Sequence, residues 1–173
     1  PARAKALLAE AGAANLTLTI DTDGASKSIA EAIASMMTRS GITANVRVWE
    51  TAVIVPIWRS AEKRKDHDLF ITSWGNASLD PSDIMMPAVH GGGRGNSAGY
   101  ANPEVDKLLD QAEVETDQDK RRAMYQRVQE IVHNDAPWVF LWLPQDVYGV
   151  SKRLHGFKPS ADGKIYLSRV TVD

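Results

Sequence analysis

The feature that most restricts this chain is a change of hydrophobic period, repeated in order, between residues 16 and 73. Leu16, Leu18 and Ile20 alternate with Thr17 and Thr19, a period of two that suits a half-buried strand. Ile29, Ile33, Met36 and Met37 then recur at helical spacing, with Ser28 and Glu31 at capping-box distance and Gly41 as a stop. Ile42, Ala44, Val46 and Val48 return to period two. A helix is expected to start near Pro56, with the basic run Lys63-Arg64-Lys65 at its solvated end, and Leu69 to Ser73 reads as a third strand. Strand, helix, strand, helix, strand implies crossover connections and a mainly parallel sheet, an α/β architecture with helices on the sheet. A short amphipathic helix carrying Ala4, Leu7, Leu8 and Ala11, stopped by Gly12, precedes it.

The second half is helical before it becomes extended. Residues 82–100 read as an irregular loop because Pro87, Gly91-Gly92-Gly93, Gly95 and Gly99 crowd into it. Its Gly-Gly-Gly-Arg-Gly-Asn lacks the Lys-Ser/Thr of a phosphate-binding loop, and His90 within it reads as a solvated residue. Asn102-Pro103-Glu104 is a helix start, with Val105, Leu108, Leu109 and Ala112 as the buried face. Asp117 caps a following helix whose stripe is Met124, Val128, Ile131 and Val132. Trp138 to Leu143 is an unbroken apolar run, expected to be a strand buried on both faces, with a further strand around Val147, Tyr148 and Val150. From Ser151 the apolar density falls, and residues 151–173 read as a segment that packs on something else.

Composition narrows function more than fold. A formal charge of −2 from 20 basic and 22 acidic residues offers no electrostatic reason to expect nucleic acid as partner. The absence of cysteine excludes disulfides, thiolate metal sites and a cysteine nucleophile. No apolar run approaches the roughly 20 residues that cross a bilayer, and the first residues, Pro1-Ala2-Arg3-Ala4-Lys5, form no apolar export signal. His67, His90, His133 and His155 have no metal-site spacing, and no catalytic motif such as Gly-x-Ser-x-Gly or His-Glu-x-x-His occurs. No metal and no cofactor is expected. The stretch most suited to a site is Asp68 to Pro81, where a strand-like run meets Trp74-Gly75-Asn76-Ala77-Ser78 and closes on Asp80-Pro81. The end of a strand in an open α/β sheet is where ligands usually sit. An indole followed by small polar residues favours binding over catalysis. On the residues alone, a small α/β enzyme using Trp74, Asn76 and Asp80, or an interaction module built on Gly91 to Gly99, stays open.

Five pieces, in order along the chain, resemble the C-terminal part of the family 5 solute-binding proteins, the peptide, oligopeptide and nickel class served by ABC importers. They are Ala4 to Gly12; Asp68 to Pro81; Gly99-Tyr100-Ala101-Asn102-Pro103-Glu104-Val105-Asp106 with Lys107-Leu108-Leu109; Lys120 to Tyr125; and Ala136-Pro137-Trp138-Val139-Phe140. The resemblance implies one lobe of a type II periplasmic-binding-protein-like clamshell. Residues 1–150 would form the second lobe, and 151–173 would cross back to an N-terminal lobe outside this chain. It implies a non-catalytic, periplasmic role, delivering a small polar or peptide-like solute to an ABC permease. It places Trp74 against the ligand, with Gly75, Asn76, Ala77 and Ser78 in the pocket loop. Peptide receptors of the class tend to carry an Asp three residues after this Trp and, in some, an Arg three before it. Here those positions are Ala77 and Ile71. An ammonium group left unpaired in a closed pocket costs several kcal/mol. The departure argues against a free dipeptide clamped in that way, and for a modified peptide, an opine, a sugar or another small polar molecule.

Overall fold

β1 (Thr17–Asp23) is central to the first part of the molecule because it is the strand with both edges and both faces occupied. The computed structural model describes all 173 residues, and the chain divides into two compact units, residues 1–73 and 74–173. In the first unit, α1 (Ala2–Glu10) precedes β1, α2 (Lys27–Arg39) links it to β2 (Thr43–Trp49), and α3 (Thr51–Trp58) leads through a 3₁₀ turn (Lys63–Asp66) to β3 (Leu69–Phe70). The sheet order is β2-β1-β3 and both pairings are parallel, with Thr17 opposite Thr43, Asp21 opposite Arg47 and Ile20 opposite Leu69. This is the α/β class expected, a parallel sheet flanked by helices.

Successive β1 residues face opposite ways, and the two faces are filled by different chemistry. Ile20 packs on Ala30 and Ala34 of α2, with Met37, Ala44, Val46 and Leu69 around them. The two alanines bring helix and sheet close together. Asp21 points the other way and is fully buried, held by Arg47 and Trp49 from β2 and by His67. Gly41 closes α2 at φ +95°, a left-handed backbone that costs a residue with a Cβ about 1–2 kcal/mol.

Several expected boundaries move. α3 begins at Thr51, not near Pro56, and carries the proline inside it. Ile54 and Trp58, one turn apart, are both buried, and their burial outweighs the backbone bond that Pro56 cannot donate. Ser28 does not cap α2: the helix starts after Ser26, whose N–H is taken by Asp23 Oδ1 at 3.0 Å. The third strand is two residues long, although Ile71 N–H still donates to Asp21 O at 3.1 Å.

In the second unit, α4 (Ser82–Ala88) replaces the irregular segment expected there. Its one buried residue, Ala88, adjoins Val89, and Met85 and Met86 pack on the helical core, so tertiary burial outweighs Pro87. α5 (Pro103–Val114) and α6 (Gln118–Asp135) start as read, with Asn102 Oδ1 accepting from Glu104 N–H at 3.0 Å and Asp117 Oδ1 from Asp119 N–H at 3.0 Å. They pack on each other through Val105, Leu109, Ala112, Tyr125, Val128 and Val132.

The apolar run after α6 departs most from expectation. Trp138 touches the helical core, but residues 139–150 form no strand, and Val139 and Leu143 are 81% and 91% exposed. A strand needs a neighbouring backbone to bond, and no segment of this chain supplies one. The final residues make a small antiparallel pair of their own, β4 (Leu154–His155) with β5 (Thr171–Val172), separate from the parallel sheet. Ile165, Tyr166 and Leu167 are exposed and outside it.

Candidate functional site

The turn that carries Trp74 is held by carboxylates at its far end. Asp80 accepts both arms of the Arg121 guanidinium, at 2.6 and 2.7 Å, and the N–H of Ser82 at 2.9 Å. The two hydrogen bonds from Arg121, with help from Ser82, hold the Asp80 carboxyl far below the usual carboxylate range. Arg121 is itself fixed, donating to Ala112 O at 2.9 Å and lying over the Tyr125 ring. Asp83 takes the N–H of Ser78 at 2.6 Å, and Ser78 lowers its pKa. Between these anchors Leu79 adopts φ +62°, rare for a bulky residue and a mark of a turn shaped by its ends.

Trp74 is half-buried and fixed in orientation: its Nε1–H donates to Asp83 O at 2.8 Å. The Arg94 guanidinium carbon lies 5.1 Å from the ring centroid, and Gly95 packs against the benzo edge. Gly75 and Ala77 are exposed, Ser78 is exposed, and Asn76 is half-buried with its amide donating to Asp80 O at 3.0 Å. The Asn76 carbonyl oxygen is buried without a hydrogen-bond partner, which costs about 1–3 kcal/mol. The five residues singled out in the sequence therefore lie together on one turn. Trp74 and Asn76 are anchored in it, and Gly75, Ala77 and Ser78 face solvent.

Sequence reasoning passed over the rest of the setting. An open concavity of about 430 Å3 is bordered by Asp83 and Met86 of α4, by Gly93 and Arg94, and by Glu113 of α5. Arg94 was legible only as part of a failed phosphate-loop match. Its signal was the glycine on either side of it. The histidines are spread over separate partners: His67 on Asp21, His90 beside Asp110, and His155 beside Asp173.

Comparison with known proteins points one way. The family model described as bacterial extracellular solute-binding proteins, family 5 Middle, matches residues 1–96. Di/tripeptide-binding protein 2 of Pseudomonas aeruginosa is 30% identical over an alignment covering 100% of this chain and 34% of that protein. Heme-binding protein A of Haemophilus influenzae is likewise 30% identical, over 100% of this chain and 33% of its own length. A solved dipeptide-binding protein from Pseudoalteromonas, in complex with Met-Leu, superposes with a TM-score of 0.77 at 23% identity, covering 100% of this chain and 36% of that one, which shows the fold. The chain spans about a third of the length of these relatives. The family model over residues 1–96 and the two relatives that are 30% identical across the whole chain agree on one assignment. The chain belongs to the family 5 bacterial extracellular solute-binding proteins.

Proposed function

We propose that this chain is the ligand-binding lobe of an extracytoplasmic solute-binding protein that delivers a peptide-like or other small polar solute to the permease of an ABC importer. Trp74, Gly75, Asn76, Ala77 and Ser78 form one wall of the pocket, and the protein does no chemistry on its solute. The observation that carries this reading is the state of Trp74: an indole locked by its Nε1–H to Asp83 O, half-exposed, whose two neighbours Asp83 and Arg94 border an open concavity. An aromatic face held in one orientation loses little entropy when a ligand packs on it. Relatives named for di- and tripeptides and for heme support a small-molecule solute, and a relative named periplasmic supports the compartment we assign here.

The division of the chain follows the same reading. Residues 1–150 serve as the second lobe, and 151–173 return to an N-terminal lobe in the longer protein. The exposed apolar run from Val139 to Leu143, and a tail whose strands pair only with each other, support that arrangement. An enzyme domain with its site at the Trp74–Asp80 turn is disfavoured, because Asp80 is wholly engaged by Arg121 and Ser82.

The test is Trp74→Ala in the longer protein, titrated with a panel of di- and tripeptides and with hemin by calorimetry. Loss of about 2 kcal/mol of binding free energy, roughly 30-fold in affinity, in a variant that remains folded is expected for a central aromatic contact. Unchanged affinity with lowered stability would reduce Trp74 to a packing residue.

A further inference from the structure

Residues 151–173 are cationic in an otherwise acidic chain. They hold five Lys and Arg against two acids, a formal charge of +3, so the first 150 residues, with 15 basic and 20 acidic residues, stand at −5. Both tail carboxylates are already engaged. Asp173 lies against His155 Nε2 at 2.8 Å, and its carbonyl oxygen accepts from Arg153 Nε at 2.8 Å. Asp162 holds the Lys164 ammonium at 2.9 Å and accepts from Tyr166 OH at 2.9 Å. Lys152, Lys158 and Arg169 make no ion pair, and the pairs the tail does make stay inside it.

Two of these free cations share one opening. Lys158 and Arg169 border a concavity of about 560 Å3, with Ser160, Tyr166 and Ser168 also on its wall. The hairpin fixes that wall. Leu154 pairs with Val172 and His155 with Thr171, and Gly156, at φ +78°, lies so close to Arg169 O that a Cβ there would overlap it. Pro159 locks the backbone φ next to Lys158. Two cations on one rim repel unless an anion lies between them. Beside them Ile165, Tyr166 and Leu167 are 62%, 56% and 63% exposed, a run of large side chains of the kind that marks a covered surface. An occupant that satisfies both features brings a carboxylate and an apolar face together.

We propose that this concavity is the seat of a carboxylate from the N-terminal lobe of the longer protein: an Asp or Glu side chain enters between Lys158 and Arg169 while Ile165, Tyr166 and Leu167 pack on the apolar surface around it. The proposal rests on the reading of 151–173 as a segment that returns to that lobe, and adds the contact that sets its register. About two thirds of the length of the relatives lies outside this chain. A partner tethered in the same polypeptide is present at an effective concentration of about millimolar, which favours it over a separate protein or a lipid surface. Apolar area holds the segment down, and the ion pair orients it, because a shifted register would leave two cations desolvated and unpaired.

The experiment treats the longer protein with a water-soluble carbodiimide, which joins a lysine amine to a carboxylate it touches with loss of water, and maps the products by mass spectrometry. Lys158 is expected to join an Asp or Glu that precedes Pro1 in the longer protein. In hydrogen exchange, the amides of residues 164–172 should exchange about tenfold faster in Lys158→Gln than in wild type, the scale of one lost charge-assisted contact. Arg169→Gln should act in the same direction, and Lys158→Arg should keep the protection. Cross-links from Lys152 or Lys164 to the N-terminal lobe with none from Lys158, or exchange unchanged in both glutamine variants, overturn the proposal and leave the returning tail standing. A Lys158 cross-link that joins two copies, or protection of Ile165 to Leu167 only with anionic vesicles, overturns it in favour of self-association or a membrane partner. Amides of 164–172 that exchange without protection, with no cross-link from any tail lysine to that lobe, overturn both.

Discussion

Replacing Asp21 with asparagine tests the polar side of the parallel sheet, because that one carboxylate is shared by four donors. Its side chain is fully buried. Arg47 Nε and Nη2 donate at 2.9 and 2.8 Å, Trp49 Nε1 at 2.6 Å, and His67 Nδ1 lies at 2.5 Å. Asparagine has nearly the same shape but carries no charge, and its NH2 would confront donors. Removing one member of a buried ion pair costs about 3–5 kcal/mol. The Arg47 side chain is 42% exposed and can turn its charge toward water, which lowers the expected loss to about 2–4 kcal/mol. The pH dependence has a definite sign. Burial pushes the Asp21 carboxyl up, but hydrogen bonds from Arg47, His67 and Trp49 together outweigh it, so its pKa in the folded protein lies below the ordinary value. A lowered carboxylate pKa contributes stability that is fully present above the unfolded value, about pH 4, and is lost as pH falls through the folded value. Urea denaturation followed by circular dichroism should therefore show a larger gap between wild type and Asp21→Asn at pH 7 than at pH 3. A gap below about 1 kcal/mol at pH 7, or one that does not narrow at pH 3, would refute this account.

Two further substitutions test the Trp74 turn. Gly95→Ala places a methyl group against the Trp74 ring; the overlap should cost about 1–3 kcal/mol and shift tryptophan emission, and an unaltered melting curve and spectrum would show that the ring is not confined. Leu79→Gly relieves a left-handed backbone at an exposed side chain. The relief of about 1–2 kcal/mol is partly offset by roughly 0.5–1 kcal/mol of extra unfolded-chain entropy, so stability should rise slightly. A drop of more than about 1 kcal/mol would mean that the leucine side chain holds the turn.

What the residues determine by themselves is the local architecture wherever a period or a cap is unambiguous. The change from period two to helical spacing places β1, α2 and β2, and Asn102-Pro103 and Asp117 place the starts of α5 and α6. These signals are readable because neighbouring residues and their own backbone satisfy them. The turn from Trp74 to Ser78 is legible for the same reason: five consecutive residues carry it. Tertiary structure decided everything that depends on residues distant in the chain. Pro56 and Pro87 stand inside helices because burial elsewhere outweighs a local preference. Trp138 to Leu143 has the composition of a buried strand but no partner backbone in this chain, so it forms none. Asp80 reads as part of an Asp-Pro turn, and only the fold shows it clasped by Arg121, 41 residues away. Arg94 is the clearest case. In the sequence it is one cation in a glycine-rich run, and its place over Trp74 follows from two glycines too close to other atoms to carry a side chain.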